Sequence, residues 1–371
     1  MKKRQILIVC NTYYQLIMAL RMKETLFADD FVHAVLTDRT PNAAQFCERL
    51  KQMAVFESVH YAETLAYCEK RDTIIQKLKD LTELVFGSRK FTDITEHFFD
   101  DFLYYNDDLF EEVVFACLYK KNRQLECGKF EEGILSYNNP PKKNLKFACG
   151  NKIRKLLGKD NLQSKTSAFY CCHPDAYYGE LRTIAIPCID KYSSVRNILA
   201  NAFCITEELL KYKEKYIYFS SVYDFEGGLP IGEMDVVKEI AATVGKENLL
   251  IKKHPRDQRS IWFEEGFSVD KNSDLPWEAI QFSLDCADKV FITANSGSVL
   301  SVNMLLAPMP QVIFVYPCCD LSGNPIAKNT IDTLEKLLDN PGLQNMLTNV
   351  RKVGAVGEIV VQQTRKTEEH N

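Results

Sequence analysis

QILIVCNTYYQLIMALRMKE occupies residues 5–24, and how it is read decides the fold. Its first six residues form a short apolar run that fits a fully buried strand. From Tyr13 to Glu24 the apolar positions recur at helical spacing. A basic start and an apolar run also suit a signal peptide. However, Asn11, Thr12 and Gln15 interrupt the run, and no small-residue cleavage site follows. A strand passing into a helix is the better reading, and it makes the chain's opening the first βα step of an α/β protein.

The alternation continues outward. FVHAVLT (31–37) and VFESVHY (55–61) read as strands around a helix at 42–53, and a helix-rich stretch follows over 65–102. EVVFACLY (112–119) and KFEEGILSY (129–137) read as further strands. Residues 138–165 are basic and polar with a Pro-Pro break, and suggest an inter-domain or acceptor-side segment. Then strand and helix alternate again. KYIYFSS (215–221), NLLIKK (248–253), DKVFITA (288–294) and QVIFVY (311–316) read as strands. Helices are expected over 233–244 and 276–282, from Ser296, and from about Asp332. This order predicts parallel sheets covered on both faces. The expected domains are residues 1–165 and 166–350, each Rossmann-like, followed by a polar tail over 351–371.

The composition narrows the function. A chain of 371 residues suits two domains. A net charge of −4 gives no general attraction to nucleic acid, so an anion site must be local. No segment approaches the ~18 apolar residues of a membrane span. The 13 cysteines include no CxxC pair, which suggests reduced core thiols in a cytoplasmic protein and no structural zinc.

Five stretches carry candidate chemistry, and a sixth serves as their control. In LLIKKHPRD (249–257) a strand delivers His254 to the carboxyl edge of a sheet, where ligands bind in such folds. Pro255 keeps the histidine out of a helix, and Lys252, Lys253 and Arg256 add positive charge. An imidazole there can donate a proton or a charged hydrogen bond to a leaving phosphate; the plainer alternative is a solvated basic turn. FYCCHPD (169–175) repeats His-Pro at His173 without flanking cations, and reads as a loop. In VFITANSGSVL (290–300) a strand ends at a small-residue turn, where Ser296, Gly297 and Ser298 open a helix. That is a phosphate cradle or simple serine capping. In KFEEGILSY adjacent carboxylates, Glu131 and Glu132, face opposite ways. One can serve as a base while the protein holds the other, or both merely end a strand. Glu278, in LPWEAI (275–280), suits a helix dipole or ribose hydroxyls. YFSSVYDFEGG (218–228) ends a strand at Ser220 and Ser221 and carries Asp224 into a Gly-Gly loop.

An acidic-acidic-Gly turn, then His-Pro, then paired serines, together with the opening VCNTYYQLIMALRM, resembles glycosyltransferase family 52, the bacterial lipooligosaccharide and capsule sialyltransferases. The resemblance spans most of the chain. It implies a GT-B fold, two Rossmann-like domains with the active site in the cleft between them. It also implies a metal-independent, inverting transfer of sialic acid from CMP-sialic acid to a galactose-type hydroxyl of a surface glycan, with α2,3 linkage. By motif, Glu132 would be the base with Glu131 supporting, and His254 would assist departure of CMP. Ser296 and Ser298 would hold the phosphate and Glu278 the ribose. Pro255, Arg256, Lys253, Ser220, Ser221 and Gly297 would complete the donor site, and Asn11, Thr12 and Gln15 the acceptor side. Asp224 is the rival base, because family members place an acid after the strand that precedes His-Pro. No cofactor is expected. Two other functions stay open: a GT-B transferase using another donor such as CDP-glycerol, and a non-catalytic nucleotide-binding protein. The stretch 65–102 could form a dimer surface. The basic stretch 142–159 reads as a solvated loop or as a contact with anionic lipid near a lipid-linked acceptor.

Overall fold

The computed structural model describes residues 2–40, 42–68, 73–137, 147–207, 209–254, 256–272, 275–284, 286–300 and 310–360. The chain divides into two compact units. One comprises Met1–Pro187 and Tyr192–Ala202, the other Cys188–Lys191 and Phe203–Asn371. Each is an α/β unit built on a parallel sheet.

The first sheet contains β1 (Gln5–Cys10), β2 (Phe31–Thr37), β3 (Ser58–Ala62), β4 (Asp101–Tyr104), β5 (Glu126–Phe130), β6 (Thr166–Cys171) and β7 (Arg182–Ala185). Their order is β3-β2-β1-β4-β5-β6-β7, and every pairing is parallel. The helices of this unit are α1 (Tyr13–Glu24), α2 (Ala43–Met53), α3 (Leu65–Cys68), α4 (Ile74–Phe86), α5 (Leu109–Lys121), α6 (Ala148–Leu156), α7 (Leu162–Lys165) and α8 (Ser194–Ala202). Ile6, Leu7, Ile8 and Val9 are wholly buried, as a strand covered on both faces requires. Thr12 caps α1 by accepting from the Gln15 N–H, and Asp108 caps α5 through the Phe110 N–H.

Three expectations fail here. Residues 112–119 are the middle of α5, not a strand. The helix is buried nearly all round, even at Glu111 and Glu112, so its sequence shows no polar face. The strand β4 (Asp101–Tyr104) begins at the last residues of the stretch read as helix-rich and runs past its end, where no strand was expected. The boundary expected after residue 165 is also displaced, because β6 and β7 extend the first sheet. Residues 148–165 belong to that unit too. Buried Arg154 of α6 pairs with Glu112 of α5 at 2.5 Å and donates to Leu84 O of α4, tying three helices together. The part of the basic segment over 138–146 lies outside the described residues, as does the tail over 361–371.

The second sheet contains β8 (Tyr216–Phe219), β9 (Leu249–Lys252), β10 (Ser268–Val269), β11 (Val290–Thr293), β12 (Gln311–Phe314) and β13 (Val350–Lys352). Its order is β10-β9-β8-β11-β12-β13, again parallel throughout. Helix α9 spans Glu233–Val244, as its periodicity predicts. The helix expected from Asp332 starts earlier, at Pro325, where the Asn324 side chain caps it. The cysteines are free among the described residues, yet Cys149, Cys188 and Cys204 are exposed rather than core thiols.

Three of the six histidines gather on β2, β3 and the segment before β4. Ser58 Oγ lies 2.8 Å from both His33 Nδ1 and His60 Nε2; His33 Nε2 lies 2.7 Å from Gln5 Oε1, and the His97 ring is 4.9 Å away. Burial, then His97 and His60, pull the His33 pKa down to about 4. The unfolded chain, with an ordinary value of ~6.5, therefore binds the proton first. Stability should fall as pH drops from about 6.5 through 4. Urea unfolding across that range should show the loss in the native sequence and a flatter profile in His33→Gln.

Candidate active site

In a parallel sheet every carboxyl end lies on one edge, and ligands sit where the strand order reverses. In the second unit that point lies between β8 and β11, with β9 beside β8. The β8 end presents Ser220 and Ser221, the β9 end His254, and the β11 end Asn295 and Ser296. These ends are bonded to one another. The His254 N–H donates to Ser220 Oγ at 2.9 Å. Thr293 Oγ1 donates to Phe219 O at 2.9 Å and accepts the Ser296 N–H at 2.9 Å.

His254 is half-buried, and its ring is oriented by the turn that follows it. The Arg256 N–H donates to Nδ1 at 3.1 Å, so the proton of the neutral ring is on Nε2. Burial first, then the Arg256 charge, lowers the His254 pKa. The ring is therefore a neutral N–H donor near pH 7, where the sequence suggested a proton or a charged hydrogen bond. At the end of β11, on the other side of β8, Asn295 is buried and its Nδ2 has no hydrogen-bond partner among the described residues. A buried amide with an unmet donor asks for an acceptor. Ser296 Oγ lies 3.4 Å from Ser298 Oγ. Residues 298–300 begin a helix, and residues 301–309 lie outside the described set. A Cβ at Gly297 would meet nothing within 4 Å among the described residues. Asn295 stands inside a stretch singled out by its serines, and an asparagine in a small-residue turn gave no signal of its own.

The flanking cations divide by role. Lys252 is buried, 3.0 Å from Asp270 and bonded to the carbonyls of Asn272 and Leu275, so it holds the loop after β10. Lys253 Nζ donates to Arg259 O at 2.7 Å and keeps donor capacity. Arg256 is exposed and paired with Glu226 at 2.8 Å. Pro255 lies outside the described residues. Glu278 sits in the first turn of the helix Trp277–Ser283, with its pKa raised by burial.

Asp224, the rival base, has another task. Its carboxylate accepts the N–H groups of Ile231 and Glu233 at 3.1 Å and of Met234 at 3.3 Å. It thus satisfies orphan donors at the start of α9. Ser221 is likewise internal: its N–H and Oγ both donate to the buried Glu233 carboxyl at 2.8 Å, and Tyr218 donates to the same group. Burial pushes the Glu233 pKa up to about 7.

In the first unit the order reverses between β1 and β4, and β5 adjoins β4. Glu131, at the end of β5, is completely buried. It accepts from Tyr14 of α1 at 2.5 Å, from Tyr137, and from the Cys172 N–H at 3.0 Å. Two motifs far apart in the sequence meet in that bond. Glu132 is half-buried, and its carboxylate has no hydrogen-bond partner among the described residues. Burial raises its pKa to about 7, opposed by the Arg39 charge. Arg39 is ion-paired with Asp108 at the cap of α5. Glu111, fully buried beside Asp108, has its pKa raised by burial and then by that carboxylate. His173 closes the group, its N–H donating to Tyr137 Oη at 3.1 Å. The second His-Pro thus lies on the EEG edge, where sequence alone offered only a loop.

The expected acceptor residues prove mostly internal. Asn11 is buried, donating to Glu111 at 2.9 Å and accepting from Thr37 at 2.8 Å. Gln15 is wholly buried, its Oε1 accepting the Asn11 N–H at 2.5 Å. Thr12 is the cap of α1. They build the β1 edge rather than line an open surface. No group of three or more metal-ligating side chains occurs among the described residues.

No protein-family model and no curated protein matches the chain. Among solved structures, a UDP-N-acetylglucosamine 2-epimerase is 12% identical with a TM-score of 0.47, the alignment covering 100% of this chain and 98% of that one. The UDP-GlcNAc 2-epimerase from Neisseria meningitidis gives 12%, 0.47, and coverage of 98% and 100%. An α/β-galactoside α-2,3-sialyltransferase from Photobacterium phosphoreum gives 11%, 0.46, and coverage of 95% and 99%. None of these assigns a donor or a reaction to this chain.

Asp224→Ala should lower unfolding stability by about 1–2 kcal/mol, the usual worth of a helix cap. Denaturant unfolding will read that loss. Turnover per folded molecule should be unchanged, which a base would not permit.

Proposed function

We propose that the chain is an inverting glycosyltransferase that moves sialic acid from CMP-sialic acid to a hydroxyl of a glycan acceptor. The observation that carries this reading is Glu132. It is a carboxylate at a sheet's carboxyl edge with no hydrogen-bond partner among the described residues and a pKa pushed up to about 7. A base of that strength is half-deprotonated at neutral pH, near the optimum for general base catalysis. A protein that only bound nucleotide would have no use for it.

In the proposed reaction Glu132 takes the proton of the acceptor hydroxyl. The oxygen attacks the anomeric carbon, and the bond from that carbon to the phosphate oxygen breaks. Its electron pair leaves with CMP. The charge that grows on the phosphate is met by the Nε2–H of His254, with Ser296, Ser298, Lys253 and the Asn295 amide as further donors. Fixed donors of this kind need no reorganisation as the charge develops. Glu278 would take the ribose. Glu131 would act as a positioning residue, holding the turn through Tyr14, Tyr137 and Cys172.

CMP release from CMP-sialic acid, with and without galactose-terminated acceptors, tests the reading. Release should depend on acceptor. Glu132→Gln should lower kcat by ~10²–10⁴, and His254→Ala by ~10²–10³, with unfolding midpoints little changed. Turnover from CDP-glycerol but not from CMP-sialic acid would overturn the donor. CMP binding without turnover of any donor would overturn the enzyme.

The pH profile gives an independent check. The basic form of Glu132 is needed, so kcat/KM should climb with pH and level off above about 7. Arg39 opposes the rise in that pKa. Arg39→Gln should therefore move the climb to higher pH, whereas a purely structural loss would lower its height without moving it.

A further inference from the structure

We propose that α4 and α6 form a docking face for an anionic lipid surface, a role independent of the reaction above. Helix α4 is only half packed. Leu84 and Val85 near its end are buried, and Leu81 rests on the core. Its first turns project instead. Ile74 is 76% exposed, Ile75 80% and Leu78 58%. Scattered apolar side chains on a surface need no explanation, but a cluster on one helix does. Nor are these turns frayed. Thr73 and Gln76 form a reciprocal capping box that satisfies the first donors of the helix.

The neighbouring helix continues the face. Arg154 and Lys159 donate to the carbonyls of Leu84 and Val85, which fixes the end of α6 against α4. There Leu156 is 86% exposed and Leu157 52%. Phe86, also exposed, lies 4.3 Å beneath the Lys159 ammonium.

Charge selects the occupant. Lys77 and Lys79 on α4, and Lys152 and Lys155 on α6, are exposed and make no ion pair among the described residues. Among the described residues the acids close by are Asp80, Glu83 and Asp160. Glu83 is held by Tyr67 and Ser88, and Asp160 accepts from Tyr119. A positive excess rimming exposed isoleucine and leucine is the pattern of a helix lying in a membrane interface. It runs against the chain's net charge of −4. A second copy fits less well, because a two-fold contact would set these lysines against their own counterparts. Among the described residues no helix is long and apolar enough to cross a membrane, so the contact is one of resting on the surface.

The test is sedimentation of the full chain with phosphatidylcholine vesicles, with and without phosphatidylglycerol. Binding should need phosphatidylglycerol and weaken with salt. Lys152→Gln and Lys155→Gln should each cost roughly fivefold in partitioning, and Leu78→Glu or Leu156→Glu at least that much. All four positions are exposed, so thermal midpoints should stay put. The proposal is overturned if the native chain ignores both vesicle types, or if the substitutions leave binding unchanged. It is also overturned if a concentration-dependent dimer forms that Leu78→Glu dissolves while vesicles go unbound, since the face then belongs to two copies of the chain.

Discussion

A parallel sheet cannot be built from hairpins; each strand is reached by a crossover. Every strand in both units obeys that constraint, and the placement of chemistry depends on it. It puts all the carboxyl ends of a sheet on one edge and creates a single point where the winding reverses. Asn11, Glu131, Glu132 and His173 share one such edge, and Ser220, His254, Asn295 and Ser296 the other. None of these groupings follows from separation along the chain. They follow from strand order, which brings β5 beside β6 and β9 beside β8.

On both edges most polar groups are occupied in holding a few others ready. Glu131 is surrounded by three donors and has nothing left for a substrate. Its burial anchors the turn that leaves the next residue, Glu132, with an unpartnered carboxylate. Ser220 holds the backbone of His254, and the backbone of Arg256 chooses the tautomer of the ring. Among the described residues, the groups without a hydrogen-bond partner on these edges include the Glu132 carboxylate, the His254 Nε2–H and the Asn295 amide.

Much of this was legible in the sequence. Strands such as QILIVC and FVHAVLT show themselves because burial on both faces demands an unbroken apolar run. Helices α1 and α9 show themselves because their apolar positions follow the helical period. The same logic explains the failures. A helix as buried as α5 looks like a strand, since tertiary packing covers even Glu111 and Glu112 and no polar stripe is left to set the period. Short strands such as β4 and β13 hold too few residues to show any period. The EEG and HP stretches were visible because charged residues directly after apolar runs are uncommon. Asn295 and His173 were not, because their significance lies in neighbours contributed by other strands.

Asp224 shows how a motif rule can mislead. An acidic residue following the strand before His-Pro suits a base, and equally suits a cap for the next helix. Both roles need a carboxylate at the carboxyl edge of a strand, so the sequence looks the same. The hydrogen bonds separate them. A base needs at least one oxygen open to substrate, while Asp224 spends both oxygens on the N–H groups that open α9. Glu132, by contrast, accepts no hydrogen bond on its carboxylate from any described residue. Its elevated pKa comes from burial, which the Arg39 charge offsets only in part. Glu131, its neighbour in the sequence, accepts three hydrogen bonds, so the two carboxylates of the EEG turn are bonded in opposite ways.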